Sequence, residues 1–137
     1  MGLKYPIFVL QKGDNMIYVF SNEKDLKSTN TEIFENLDYK DSVHIDSLGN
    51  IHKIDKAFKV KNLGLFGFNP LLKGKQIFID FEYNSEVEKI ALDDFKKDIL
   101  ARVDKTKRIW QSAWDIEELK NAIANSQSFE EIAVLLT

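Results

Sequence analysis

Two histidines, His44 and His52, are the only imidazoles in this 137-residue chain, and they flank a single turn. The turn reads Asp46-Ser47-Leu48-Gly49-Asn50. An acidic residue that opens a turn, with glycine three positions later, fits a type I turn closed by a glycine bulge. That register pairs Asp46 with Asn50 and sets His44 opposite His52, with Asp46 on the same face two residues along. Two imidazoles and a carboxylate could ligate a divalent metal or titrate near neutral pH. The plainer reading is two histidines on a polar sheet face, so no metal is assigned, and His44, His52 and Asp46 stand only as its candidate ligands.

A second constellation is Asp80 with Glu82, on one face of the strand Gln76 to Tyr83 and about 7 Å apart by strand geometry. Paired carboxylates can act as acid and base, but glycosidic chemistry needs them across a cleft at set distances. Lys53, Lys59 and Lys61 offer a simpler partner if the neighbouring strand carries them alongside, with a contribution of a few tenths to about 1 kcal/mol per pair. Nucleophile arrangements are missing. There is no cysteine, no Gly-x-Ser-x-Gly elbow and no His-Glu-x-x-His. Lys73-Gly74-Lys75 lacks the glycine spacing of a phosphate loop, and Gly64-Leu65-Phe66-Gly67 lacks the context of a dinucleotide fingerprint. These gaps lean against an enzyme and assign no catalytic residue and no cofactor.

Between Leu63 and Leu72 the chain carries no charge. Leu65, Phe66 and Phe68 either plug the end of the sheet, with Gly64 and Gly67 permitting close backbone approach, or form an exposed apolar patch of the kind that marks a binding surface. Trp110 and Trp114 face the same alternatives, because tryptophan is favoured in cores and at interface hot spots alike. Partner-binding candidates are therefore Leu65, Phe66, Phe68, Trp110, Trp114, Asp80 and Glu82.

The elements that must position these residues follow from periodicity. Tyr5 to Leu10 and Met16 to Phe20 are apolar on both faces and joined by the turn Lys12-Gly13-Asp14-Asn15. Strands apolar on both faces are normally covered on both faces or lie centrally, and these predict a hairpin near the centre of a sheet. Short helical pieces follow, capped at Ser21-Asn22 and by a capping box of Thr29 with Glu32. Ser42 to Ser47 and Ile51 to Lys61 form a second hairpin, and Gln76 to Tyr83 alternates as a fifth strand. Ser85 with Glu88 predicts a long helix over 86–104, whose Val87, Ala91, Phe95, Ile99 and Val103 recur every four residues. A helical hairpin closes the chain, capped by Asp115 and Ser128. Strands early and helices late give an α+β fold, with a mainly antiparallel sheet of about five strands, in a single domain over 1–137.

Composition sets the outer bounds. A hydrophobic fraction of 44% with ten phenylalanines argues for a packed core. The formal net charge of −3 gives no pull toward nucleic acid. No apolar run approaches the roughly 20 residues that span a bilayer, and no apolar stretch of signal-peptide length precedes Pro6. A cytoplasmic protein is expected.

The layout resembles small acidic bacterial α+β proteins, including immunity proteins paired with secreted toxins. The likeness rests on Tyr5-Pro6-Ile7-Phe8-Val9, Met16-Ile17-Tyr18-Val19-Phe20, the Asp46 to Asn50 turn and Ser128-Phe129-Glu130-Glu131-Ile132. It implies a rigid surface that occludes a toxin and carries over no functional residue. The expectation is a non-enzymatic module that binds another protein through acidic and aromatic surface. The alternative is a small-molecule-binding or enzymatic domain with a pocket near the 63–72 loop, walled by Phe66, Phe68 and the two tryptophans. A homodimer through a sheet edge is a third possibility.

Overall fold

The computed structural model describes residues 2–63 and 75–137, so Leu65, Phe66 and Phe68 lie outside the described residues. The first hairpin forms as its turn residues require. Strands β1 (Ile7–Gln11) and β2 (Ile17–Phe20) pair antiparallel. Gly13 sits at φ +80°, and the Asp14 carboxylate accepts the Met16 N–H at 2.6 Å. Five-residue helix α1 (Glu23–Lys27) starts at Asn22, whose side chain accepts the Asp25 N–H. It leads directly into β3 (Ser28–Asn30). Helix α2 (Thr31–Asn36) is capped by Asn30, which accepts the Ile33 N–H at 2.8 Å, so the cap falls one residue beyond the expected Thr29.

Strands β4 (Ser42–Ile45) and β5 (Asn50–Asn62) make the second hairpin in the expected register, with His44 opposite His52. Gly49 at φ +84° supplies the left-handed position, and its N–H donates to the Asp46 carbonyl. Strand β6 (Gln76–Tyr83) pairs with β5. The sheet runs β2-β1-β4-β5-β6-β3, six strands rather than about five, with the two-residue β7 (Glu88–Lys89) added against β5.

That order corrects the placement of the first hairpin, because β2 is an edge strand and not a central one. One apolar face of β2, with Ile17 and Val19, is covered by the helical core, whereas the other, with Tyr18 43% exposed, faces only the space enclosed as the sheet curls on itself. Only α1 separates β2 from β3, the two opposite edges, and Phe20, Leu26, Ile77 and Ile79 meet in one cluster. Register shifts in β5 between Ile54 and Lys56 and between Lys59 and Lys61 bend the longest strand, as bulges do wherever a sheet must curve.

Helix α3 (Leu92–Lys105) begins six residues later than the capping box at Ser85 predicts, and Ala91 makes no side-chain cap. Glu88 and Lys89 are taken by β7, and the Ile90 N–H donates to the Gly49 carbonyl. Pairing with a sheet satisfies more backbone than one frayed turn would. Helix α4 (Lys107–Trp110) follows. Helices α5 (Ile116–Asn125) and α6 (Phe129–Leu136) are capped by Asp115 and Ser128 as expected. Phe95, Ile99 and Val103 of α3 pack with Leu119, Ile123, Ile132 and Leu136 against Phe8, Leu10, Ile17 and Ile45 of the convex sheet face. A second cluster, with Ile7, Ile54, Ile77, Ile79 and Phe81, fills part of the concave face.

Candidate functional site

Strand alternation divides every strand of the first hairpin between these two sides. Phe8 and Leu10 meet the helices, whereas Val9 and Gln11 look into the curl. On β2 the inward pair is Tyr18 and Phe20, on β4 Ser42 and His44, and on β6 Ile79 and Phe81. These residues wall a cavity of about 390 Å³, and Leu26 of α1 closes the seam between the sheet edges. Helix α2 lies across the mouth and buries none of its residues. Ile33 is 50% exposed and Leu37, just past the helix, 39%, yet both line the cavity.

His44 is, with Ser42, one of the two polar residues set most deeply in this wall, each 2% exposed. Its Nδ1 shares a 2.7 Å hydrogen bond with the Tyr83 hydroxyl, and its ring lies edge-on to Phe81 and Tyr83. Burial, reinforced by His52 nearby, pushes its pKa down to about 3, so the imidazole is neutral at physiological pH. Burial likewise pushes the Tyr83 phenol up from its usual range. The other deep polar residue, Ser42, bonds the Gln11 side chain.

Stability should follow from that depressed histidine. In the unfolded chain His44 takes up its proton near pH 6.5, and in the folded protein only near pH 3. Its contribution is complete above pH 6.5 and is lost as pH falls toward 3. Between pH 7 and pH 5 this amounts to about 2 kcal/mol. Urea denaturation of the wild type and His44→Phe at the two pH values tests it. Carboxylates titrate alike in both proteins, so an equal pH dependence would refute the assignment.

The sequence-derived trio does not converge. Asp46 is spent on its own turn, accepting the backbone N–H groups of Leu48 and Asn50 and the Asn50 amide, and its second oxygen lies 3.0 Å from His52 Nε2. His44 turns instead to Tyr83. Among the described residues no group of three His, Asp or Glu side chains is placed to hold a metal ion.

The acidic pair also finds a different partner. Asp80 bonds Lys27 of α1 at 2.9 Å, not Lys53, Lys59 or Lys61. Lys27 also bonds Glu23, and Lys53 bonds Glu88. Burial alone would raise the Asp80 pKa, but the bonds from Lys27 and the Phe81 N–H outweigh it and hold the carboxyl below its usual range. Glu82 stands opposite Lys56 and is exposed. Lys27 takes the place of the cross-strand lysines because the curl brings α1 alongside β6, which strand pairing alone does not reveal.

Trp110 and Trp114 sit on the far side of the sheet, half-buried against the helical core. Their indole N–H groups donate to the Thr106 hydroxyl at 3.0 Å and to the Leu135 carbonyl at 3.2 Å. They do not wall the cavity. Its true lining, Val9, Tyr18, Phe20, Ser42, His44 and Phe81, escaped sequence reasoning except at His44. One signal was present: Gln11, Ser42 and His44 interrupt strands that are otherwise apolar. No protein family, curated protein or solved structure matches the chain.

Proposed function

We propose that this protein binds a small, mainly apolar molecule inside the curl of its sheet. The observation that carries the reading is the 390 Å³ cavity between the concave sheet face and α2. Its size falls within the range of ligand pockets, about 300–1,000 Å³, and apolar walls with a few polar groups are their usual lining. The exposed apolar side chains Ile33, Leu37 and Tyr18 at the mouth support it, since a ligand seated there would cover them.

Titration with the neutral fluorophore N-phenyl-1-naphthylamine should give saturable binding at one site. Val9→Trp, which fills the cavity from β1, should weaken that binding by at least about tenfold, or about 1.4 kcal/mol, while the protein still unfolds cooperatively. Non-saturable binding, or equal binding by a folded Val9→Trp, would refute the reading.

A second reading, a partner protein in the immunity-like mode, draws on the same exposed Ile33 and Leu37. Ile33→Asp would then abolish capture of the partner, and filling the cavity at Val9 would leave capture intact.

A further inference from the structure

We propose that the ligand of this cavity is an uncharged hydrocarbon carrying a carbonyl oxygen, which accepts a hydrogen bond from His44 Nε2–H. The inference rests on the cavity being a binding site and names the chemistry it selects. Its basis is the commitment of the ring's two nitrogens. Nδ1 is bonded to the Tyr83 hydroxyl at 2.7 Å, and Nε2 has no hydrogen-bond partner among the described residues. A phenol is the stronger donor and an imine nitrogen the stronger acceptor, so Tyr83 donates to Nδ1. That fixes the hydrogen on Nε2, because the two nitrogens of a neutral imidazole take opposite roles.

His44 thus presents one donor from a wall position that is 2% exposed. The neighbouring deep hydroxyl, Ser42, is occupied by Gln11. An unpaired donor in so apolar a site gains from any acceptor that reaches it. The charge of the ligand follows from the rest of the wall. Among the described lining residues none is Lys or Arg, and the one charged group is Asp14. A carboxylate or phosphate would enter without a counter-charge and against an acidic residue, which burial makes costly.

A nine-carbon series separates these features by competition against N-phenyl-1-naphthylamine. 2-Nonanone should compete roughly fivefold to tenfold more strongly than nonane, the value of one hydrogen bond. Nonanoate at pH 7 should be the weakest of the three. In His44→Phe the order should reverse, with the ketone weaker than the alkane, because its carbonyl would be buried without a partner. Tyr83→Phe keeps the imidazole but frees its tautomer, so the ketone's advantage should shrink. Each comparison is a ratio within one protein, and nonane binding itself reports whether a variant has kept its cavity. Two-bond ¹H–¹⁵N spectra should show His44 as the Nε2–H tautomer.

Equal competition by ketone and alkane in the wild type, tightest binding by nonanoate, or an Nδ1–H tautomer would each overturn this inference and leave an apolar binding site standing. Failure of all three compounds to displace the fluorophore would overturn the binding reading itself.

Discussion

Phe95→Ala is expected to destabilise the protein by about 4 kcal/mol, within the range for removing a buried phenylalanine. Phe95 has no solvent exposure and joins the sheet to the C-terminal helices. Its ring stands edge-on to Phe8 of β1 at 4.8 Å and tilts against Phe129 of α6 at 5.0 Å. Truncation forfeits both aromatic contacts and leaves a cavity that three packed elements cannot easily close. Thermal unfolding followed by tryptophan fluorescence should shift down by roughly 8–16 °C. A fall of only a degree or two would mean that Phe95 is not the joint between the layers. Phe95 lies across the sheet from the cavity, so ligand affinity measured well below the unfolding temperature should hold.

The second large effect is at Gly49, which closes the turn between the two histidine strands. At φ +84° a side chain is strained by about 1–2 kcal/mol. A Cβ there would also stand 2.7 Å from the Ile90 carbonyl oxygen and 2.9 Å from the Phe129 ring. The Ile90 carbonyl is backbone, and its residue is fixed to Gly49 by an N–H···O bond of 2.9 Å, so it has little room to yield. Gly49→Ala should therefore cost about 3 kcal/mol in urea denaturation. Gly13→Ala provides the control. Its φ is +80°, but nothing lies within 4 Å of the added carbon, so it should lose only about 1 kcal/mol. Equal losses at the two glycines would show that the contact with Ile90 and Phe129 carries no weight.

Both substitutions concern the convex side, and that is the side the sequence described best. The four-residue recurrence of Phe95, Ile99 and Val103 marked the buried stripe of α3 correctly, and Asp115 and Ser128 marked the starts of α5 and α6. The start of α3 lies elsewhere, at Leu92. Ser85 and Glu88 have the spacing of a helix cap, but a local pattern cannot foresee that β5 will offer Glu88 and Lys89 a ladder to join. Likewise the pairing of His44 with His52 was legible, whereas the bond from His44 to Tyr83 spans 39 residues and two strands.

The cavity illustrates the same divide. Strands with two apolar faces pointed to a hairpin at the sheet centre, and the alternation told which residues share a face. It did not tell what would cover them. A central strand between neighbours and an edge strand on a curled sheet produce the same pattern, because the pattern reports burial and not sheet order. Local patterning was enough for the α+β layout, the turn at Asp46 to Asn50 and the amphipathic faces of the helices. These depend on interactions within a few residues. Long-range packing set the curl that leaves only α1 between the sheet edges, the meeting of Lys27 with Asp80, and the placement of His44 against an apolar cavity. Those outcomes depend on where bulges bend β5 and on which distant surfaces then come together, a choice made by the packing of the whole chain.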